Sequence, residues 1–250
     1  MTENSEFWDS LESGEWEPDT FKIFDTFVTE DTYFLDIGSW IGPTALYAAQ
    51  IARQTYAFEP DPVAYKELIA NVEANDGANW IGRLQVWNKA VAEHDGKIKL
   101  GSRLKVGDSM SSVLFADEAN SWEVETVGFD KLLQGEQLKN KKLFVKMDIE
   151  GGEFKLIPAL RETLQKHDIT LYLSTHPIFT TIKRFKNGRM NFVGRIICCW
   201  HQFKLVRQLP FKYLYYQDGR TVNLFADMMS TMSGRLPLFE ILATNKRWGT

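Results

Sequence analysis

The sequence is poor in cysteine, has no excess of basic residues and contains no long apolar run. Its 2 cysteines, Cys198 and Cys199, are adjacent, which excludes a disulfide framework and is typical of a reducing cytoplasm. No further cysteine or histidine pair stands at zinc-ligand spacing, so we expect no zinc site. The apolar runs are too short to span a bilayer, and the N-terminus lacks the basic and apolar blocks of a signal peptide. These absences predict a cytoplasmic protein.

The charge balance and the missing phosphate motifs exclude further classes. Lys and Arg total 29 against 33 Asp and Glu, which leaves a formal net charge of -4. Without a broad basic field we expect neither nucleic acid nor a membrane as a partner. The chain contains no G-x-S-x-G elbow and no P-loop, which argues against the common hydrolases and nucleoside triphosphatases.

Short apolar runs alternate with amphipathic stretches along the chain. We predict strands at 33–37, 54–58, 84–91, 143–147 and 170–174, and helices at 44–52, 62–75, 154–165 and 190–201. Pro158 is expected to start or break its helix. We predict a β-rich insertion beside the main sheet at 97–127. We also predict that two strands, 213–217 and 239–244, close the sheet as an antiparallel pair. This order predicts an α/β fold whose sheet is mainly parallel, with helices on both faces.

A glycine turn after the first predicted strand predicts a cofactor site. Asp36, Gly38 and Gly42 stand at the spacing D-x-G-x-x-x-G, where glycine lets the backbone turn sharply and approach a ligand. The fingerprint of NAD-binding proteins needs glycine where Asp36 stands, and a carboxylate there repels a pyrophosphate. The sulfonium and ammonium groups of S-adenosylmethionine (SAM) suit that carboxylate instead. An NAD-dependent oxidoreductase is therefore disfavoured.

Three further residues complete the predicted cofactor site. Glu59 ends the second predicted strand, where a carboxylate accepts hydrogen bonds from both ribose hydroxyls of a nucleotide. Ser39 lies inside the glycine turn, and Asn88 or its neighbours are expected near the adenine. The structural alternative is that the glycines merely shape a turn and that Glu59 is a solvated acid. We favour the cofactor site, because the two features agree independently.

Five blocks of the sequence, in the family's order, resemble the FkbM-type SAM-dependent methyltransferases. They are FLDIGSWIGPT at 34–44, AFEPDP at 57–62, Asn71 with Asn75, NKAV at 88–91, and VKMDIEGGE at 145–153. The last block is similar to the family signature K-x-D-x-E-G-x-E. The resemblance covers about residues 33–160 and fades after about residue 175.

The resemblance implies a Rossmann-like class I methyltransferase fold with SAM as cofactor. It also implies methyl transfer to a hydroxyl oxygen of a sugar, polyketide or similar metabolite, so the expected partner is a small-molecule or glycan acceptor. Within a single domain, 1–250, we distinguish an aromatic-rich cap segment at 1–32, a SAM-binding core at 33–175 and an acceptor-side part at 176–250. The sequence leaves open whether the cap segment packs on the sheet, closes the SAM pocket or forms a dimer contact.

Methyl transfer to an alcohol needs a base, because a protonated hydroxyl is a poor nucleophile. Asp148 and Glu150 flank the end of the fourth predicted strand and His176 follows the fifth, at the sheet edge where ligands bind. We predict that Asp148 and His176 activate the acceptor, with Glu150 as a third catalytic candidate. The structural alternatives are a capping or turn-holding role for either acid and an ordinary structural histidine. Glu153 is expected to be structural, because an acid early in a helix complements the helix dipole.

Several readings of the same residues stay open. Asp148, Glu150 and His176 could instead hold Mg²⁺ or Mn²⁺, which would lower the pKa of the acceptor hydroxyl; we place this behind base catalysis without a metal. A small-molecule N-methyltransferase would need less help from a base, and a non-catalytic SAM- or nucleotide-binding module would bind without turnover. The basic cluster at 183–189 is either a solvated surface or an acceptor contact. The oligomeric state is not predicted.

Overall fold

The computed structural model describes residues 5–102, 112–116, 120–186, 189–235 and 239–248. Its strands are β1 (Thr32–Ile37), β2 (Gln54–Phe58), β3 (Leu84–Trp87), β4 (Ala90–Ala92), β5 (Gly96–Ser102), β6 (Asn120–Gly128), β7 (Lys142–Met147), β8 (Ile169–Thr175), β9 (Phe185–Lys186), β10 (Arg189–Met190), β11 (Tyr213–Tyr215) and β12 (Phe239–Thr244). Its α-helices are α1 (Ser5–Glu12), α2 (Pro18–Phe27), α3 (Pro43–Ile51), α4 (Pro62–Glu73), α5 (Phe129–Gln134), α6 (Glu153–Lys166), α7 (Phe192–Val206) and α8 (Leu224–Met232). Short 3₁₀ turns lie at Ile81–Arg83, Val113–Phe115 and Phe179–Arg184.

The main sheet has seven strands in the order β11-β12-β8-β7-β1-β2-β3. The five strands from β8 to β3 pair in parallel, and β12 pairs antiparallel with both β8 and β11. The mainly parallel sheet and its closing antiparallel pair are therefore confirmed. The parallel strands all end at one edge, and the order changes direction at β1, between β2 and β7. A crevice for a ligand forms at such a point.

Side chains alternate between the two faces of the sheet, and helices cover both. On one face Phe34 of β1 and Phe144 of β7 pack with Phe24 of α2 and Ala48 of α3. On the other, a cluster around Val145 contains side chains of α5, α6 and α7. Strands that are buried on both faces are mainly apolar, which is why the bounds of these short strands were predicted closely.

The predicted β-rich insertion is confirmed as a second, three-stranded sheet in the order β4-β6-β5. The prediction of one strand over 84–91 is wrong, because β3 pairs with β2 in the main sheet whereas β4 pairs with β6. The break falls at Asn88, whose Nδ2 donates to the carbonyl oxygens of Glu59 at 2.8 Å and Pro60 at 3.3 Å. Periodicity alone does not reveal a change of sheet within one extended segment.

Helices α6 and α7 differ most from their predicted form. Pro158 lies inside α6 without ending it, so the expected break there is wrong. Helix α7 begins two residues later than predicted, because Asn191 is its N-cap and accepts a hydrogen bond from the Gly194 N–H at 2.8 Å. Met190 belongs instead to the short β9-β10 hairpin. The side chains of the basic cluster at 183–189 lie outside the described residues.

Candidate active site

The predicted glycine turn joins β1 to α3 and lies against the end of β7. Gly38 and Gly42 have φ angles of +83° and +97°, which favour glycine. A Cβ on Gly38 would lie 1.9 Å from the carbonyl oxygen of Asp148, and one on Gly42 would lie 2.4 Å from Leu68 Cδ1. Glycine therefore lets the turn after β1 lie directly against the end of β7, which brings two predicted parts of the site together.

Beneath this turn lies a buried ion pair that the sequence did not indicate. Asp36 is fully buried, and its Oδ2 accepts a hydrogen bond from Thr44 Oγ1 at 2.6 Å. Lys146 Nζ lies 3.3 Å from Asp36 Oδ1 and donates to the Gly38 carbonyl oxygen at 3.1 Å. Asp36 thus has a cationic partner inside the protein, and its direct contact with a cofactor stays a prediction.

The pKa values of this pair reflect burial and mutual attraction. Burial raises the pKa of Asp36, against the opposing effects of Lys146 and Thr44. Burial alone would lower the pKa of Lys146, but the carboxylates of Asp36, Asp148 and Glu17 outweigh it and raise that pKa. Lys146 is therefore a fixed positive charge under the site. Its position within the K-x-D-x-E-G-x-E signature was the signal that could have identified it.

A cavity of about 340 Å³ opens over the glycine turn; we call it the first cavity. Gly38 and Ser39 line it, as do Glu59, Asp148, Glu150 and His176. Asp36, Gly42 and Asn88 are not part of its wall. Ser39 Oγ donates to the Asp36 carbonyl oxygen at 2.9 Å. The Asn88 side chain donates to the loop after β2. Its neighbours Lys89, Ala90 and Val91 line the cavity. Most of the residues predicted from the sequence therefore converge here.

The carboxylate of Glu59 is held in a fixed orientation. Its Oε2 accepts the N–H of Trp40 and its Oε1 the N–H of Asp61, both at 2.7 Å. Burial raises the pKa of Glu59 to about 8, although these two N–H groups act in the opposite direction. Each carboxylate oxygen has a second lone pair for another donor. Glu59 can therefore accept hydrogen bonds from a pair of hydroxyls in the first cavity.

Aromatic residues from the N-terminal segment cover the first cavity. Phe7 and Trp16 line it together with Trp40, and the Phe7 and Trp40 rings meet edge to face at 4.9 Å. The indole N–H of Trp40 is buried without a hydrogen-bond partner among the described residues, which makes it a candidate donor to a ligand. Of the alternatives left open for the cap segment, packing on the sheet is seen for Phe24, while closure of a SAM pocket by Phe7 and Trp16 stays a prediction.

Three predicted catalytic residues meet at the ends of β7 and β8. His176 Nδ1 lies 3.8 Å from Asp148 Oδ1, and His176 Nε2 lies 3.7 Å from Glu150 Oε2. Burial lowers the pKa of His176, Asp148 opposes this, and Lys146 adds to it. The imidazole is therefore neutral near pH 7 and able to accept a proton. The three side chains also offer one ligand atom each within 4.8 Å of one another, which a divalent cation would need.

Glu153 links the two backbone segments that carry the candidate catalytic residues. It is fully buried, and its Oε1 and Oε2 accept the N–H groups of His176 at 2.7 Å and Gly151 at 2.8 Å. Glu153 thus holds the chain after β8 against the chain after β7. Glu153 was expected to have a structural role, and it has one through these two hydrogen bonds. Burial raises the pKa of Glu153 to about 7 despite them.

Glu153 should make the stability of the protein depend on pH. Its folded-state pKa of about 7 exceeds the ordinary 4.5, so its contribution is full below pH 4.5 and is lost as the pH rises through 7. The difference corresponds to about 3 kcal/mol. We expect Glu153→Gln to flatten the fall in unfolding free energy between about pH 5 and 8 in urea titrations. Glu162→Gln, on the exposed side of the same helix, should leave the slope unchanged; equal slopes in both variants would contradict this role.

A second cavity of about 540 Å³ adjoins the first beyond the end of β8. Glu17, Asp148 and His176 line both cavities. Burial raises the pKa of Glu17, and it raises that of Glu240 to about 7 with further contributions from Glu17 and Asp148. Sequence reasoning missed Glu17 and Glu240, because no motif surrounds either and only the folded chain brings them together.

A family model described as "Methyltransferase FkbM domain" matches residues 36–235. The chain belongs to the FkbM methyltransferase family. The resemblance seen in the sequence is confirmed, and so is the Rossmann-like class I fold that it implied. Among the described residues, no helix combines the length and apolarity that a bilayer span requires.

Solved structures are similar to this FkbM-family chain at low sequence identity. Methyltransferase FkbM from Methylobacillus flagellatus KT is 17% identical with a TM-score of 0.43, over 58% of this chain and 33% of that one. A putative rRNA-methylase from Clostridium thermocellum is 11% identical with a TM-score of 0.48, over 92% and 96% of the two chains. The match thus spans about a third of the length of the first enzyme. No curated protein matches this chain significantly.

Proposed function

We propose that this FkbM-family protein transfers a methyl group from SAM to a hydroxyl oxygen of a small acceptor, such as a sugar or a secondary metabolite. The observation that carries the proposal is the position of His176 and Asp148, which line both cavities. A neutral imidazole with a carboxylate beside it therefore stands where a cofactor in the first cavity would meet an acceptor in the second.

The residues of the first cavity fit SAM. Glu59 has free lone pairs for the two ribose hydroxyls, and the Trp40 indole N–H awaits an acceptor atom. The carboxylates of Glu17 and Asp148 suit a ligand with positive charge. A cavity of about 340 Å³ is within the usual size of a small-ligand site. When bound, SAM would supply an electrophilic methyl group whose sulfonium leaving group departs as a neutral thioether.

His176 is the base in this proposal. Its Nε2 accepts the proton of the acceptor hydroxyl, which makes the oxygen a better nucleophile as it approaches the methyl group. Asp148, 3.8 Å from Nδ1, stabilises the imidazolium that results. The Glu153 carboxylate fixes the His176 backbone, so the imidazole is aligned before the acceptor binds, and alignment supplies much of the rate of an in-line displacement. A metal on Asp148, Glu150 and His176 is not required by this sequence of steps.

An amine acceptor is the second candidate, and the charge of the second cavity favours it. Five carboxylates contribute to its wall, from Glu17, Asp19, Asp148, Asp218 and Glu240. The one arginine in that wall, Arg220, pairs with Asp218 at 2.6 Å. An ammonium group would find more complementary charge here than an anionic acceptor would. N-methylation of such an amine would use the same two cavities.

Product analysis separates the two candidates. We would incubate the protein with SAM and matched pairs of acceptors, polyols and the corresponding amino sugars, and follow S-adenosylhomocysteine by mass spectrometry. Fragmentation of the product then locates the new methyl group on oxygen or nitrogen. An O-methyl product supports the proposal and an N-methyl product replaces it with the second candidate. Tight SAM binding without turnover on any acceptor, cell extract included, would overturn both and indicate a non-catalytic binding module.

A further inference from the structure

Exposed apolar side chains are concentrated on two adjacent helices. Among the described residues, eight of the ten exposed large apolar side chains belong to α7 and α8. We call these eight the apolar stripe: Phe192, Val193, Ile196, Trp200 and Phe203 on α7, and Phe225, Met228 and Met229 on α8. Phe192 is 66% and Trp200 54% exposed, which is far from the burial usual for such residues. A patch of this kind marks an interaction surface.

The geometry of α7 places its five residues of the stripe on one side of the helix. At about 100° per residue, the five exposed apolar positions of α7 fall within about a third of its circumference. The opposite side of the helix, with Cys198 and Leu205, is buried against the protein. Helix α8 lies alongside, because Arg195 Nη1 donates to the Met232 carbonyl oxygen at 2.7 Å. Two neighbouring helices thus each present apolar side chains to solvent.

The segment that carries α7 has charge of one sign. From residue 169 to residue 217 the sequence contains no Asp or Glu, whereas it contains eight Lys or Arg. Two of them border the stripe: Lys204 Nζ lies 5.1 Å from the centre of the Trp200 ring, and the Arg207 guanidinium lies 5.4 Å from that of Phe203. In a chain whose net charge is -4, this is a marked local concentration of positive charge.

We propose that the apolar stripe and its basic border bind the surface of an anionic lipid bilayer. A helix that presents aromatic and aliphatic side chains beside Lys and Arg is the arrangement of an interfacial contact, and anionic headgroups attract such basic residues. A second copy of this protein fits the apolar stripe less well, because a two-fold interface would place the basic segments of the two copies against each other. The expectation of no membrane partner rested on the net charge of -4 for the whole chain, whereas the basic residues counted here are concentrated in one segment. The proposal does not depend on the methyl acceptor.

Vesicle flotation of the full chain tests the proposal. The two preparations are phosphatidylcholine alone and phosphatidylcholine with about 30 mol% phosphatidylglycerol. We expect flotation with the anionic vesicles and little with the neutral ones. Ile196→Glu with Trp200→Glu, and separately Lys204→Glu with Arg207→Glu, should each weaken the binding roughly tenfold or more. Val63→Glu, which changes an equally exposed apolar residue on α4, is the matched control and should float like the unmodified protein.

Three outcomes would overturn the proposal. The first is absence of flotation with anionic vesicles, and the second is equal flotation of the α7 variants and the Val63→Glu control. The third is a stable dimer, detected by light scattering, that Trp200→Glu converts to a monomer, because the stripe would then be an interface between copies. All substituted side chains are exposed, so circular dichroism should show unchanged folding in every variant.

Discussion

Replacing His176 with alanine is expected to lower kcat for methyl transfer by about 10²–10⁴-fold, the usual contribution of a general base. The imidazole lies in the wall shared by the two cavities, and Asp148 is near enough to stabilise its protonated form. The affinity for SAM should change little, because Glu59, Trp40 and the aromatic cover remain. Rate measurements on the acceptor found in the product screen check this.

The pH dependence of the rate gives the same prediction a second readout. Burial lowers the pKa of His176 from its ordinary 6.5, so the base is neutral throughout the neutral range. We expect kcat to be level near pH 7 and to fall only below about pH 6.5, with the fall absent in His176→Ala. His201→Ala, which removes a histidine outside both cavities, is the control. A His176→Ala variant with full activity and an unchanged pH profile would rule out His176 as the base and favour an acceptor that needs none.

Replacing Lys146 with methionine is expected to lower the free energy of unfolding by about 3–5 kcal/mol, the usual cost of removing one partner from a buried ion pair. The substitution leaves the Asp36 carboxylate fully buried with only Thr44 Oγ1 as a hydrogen-bond donor among the described side chains. It also removes the bond to the Gly38 carbonyl, which helps to hold the glycine turn. Urea denaturation at pH 7 measures the loss.

A double-mutant cycle shows whether the loss belongs to the pair. Asp36→Asn with Lys146→Met should be clearly less destabilised than the sum of the two single variants, because neither buried charge is then left alone. Lys142→Met is the matched control: Lys142 lies on the same strand, but its pair with Asp31 is exposed and should matter by less than about 1 kcal/mol. Strict additivity in the Asp36–Lys146 cycle would mean that the pair is not a coupled unit.

The central sheet could be predicted from the sequence because its strands are buried on both faces and read as short apolar runs. Strand β2 begins and ends as predicted. Helix α7 begins two residues later than predicted because the polar N-cap residue Asn191 determines where it starts. The periodicity of apolar residues carries no information about an N-cap. The division of 84–91 between two sheets depends on the hydrogen bonds of Asn88 to a distant loop.

The residues of the candidate site that stand at the ends of strands could be predicted from the sequence, whereas the others could not. Glu59, Asp148 and His176 stand at strand ends, and parallel strands bring such positions to one edge. Glu17 and Glu240 come from opposite ends of the chain and meet only in the second cavity. Lys146 was hidden for another reason: a lysine in the middle of an apolar strand gives no sign of its partner until the register places it beside Asp36.

The most direct test of the account is a calorimetric titration of the protein with SAM, S-adenosylhomocysteine and NAD, after mass spectrometry has excluded a co-purified ligand. The account predicts micromolar binding of SAM or its product, no binding of NAD, and a loss of roughly a hundredfold in Glu59→Ala, which removes two hydrogen bonds to the ribose. Glu73→Ala, an exposed acid at the end of α4, should bind like the unmodified protein. Absence of SAM binding, or equal binding by Glu59→Ala, would contradict the cofactor site described here.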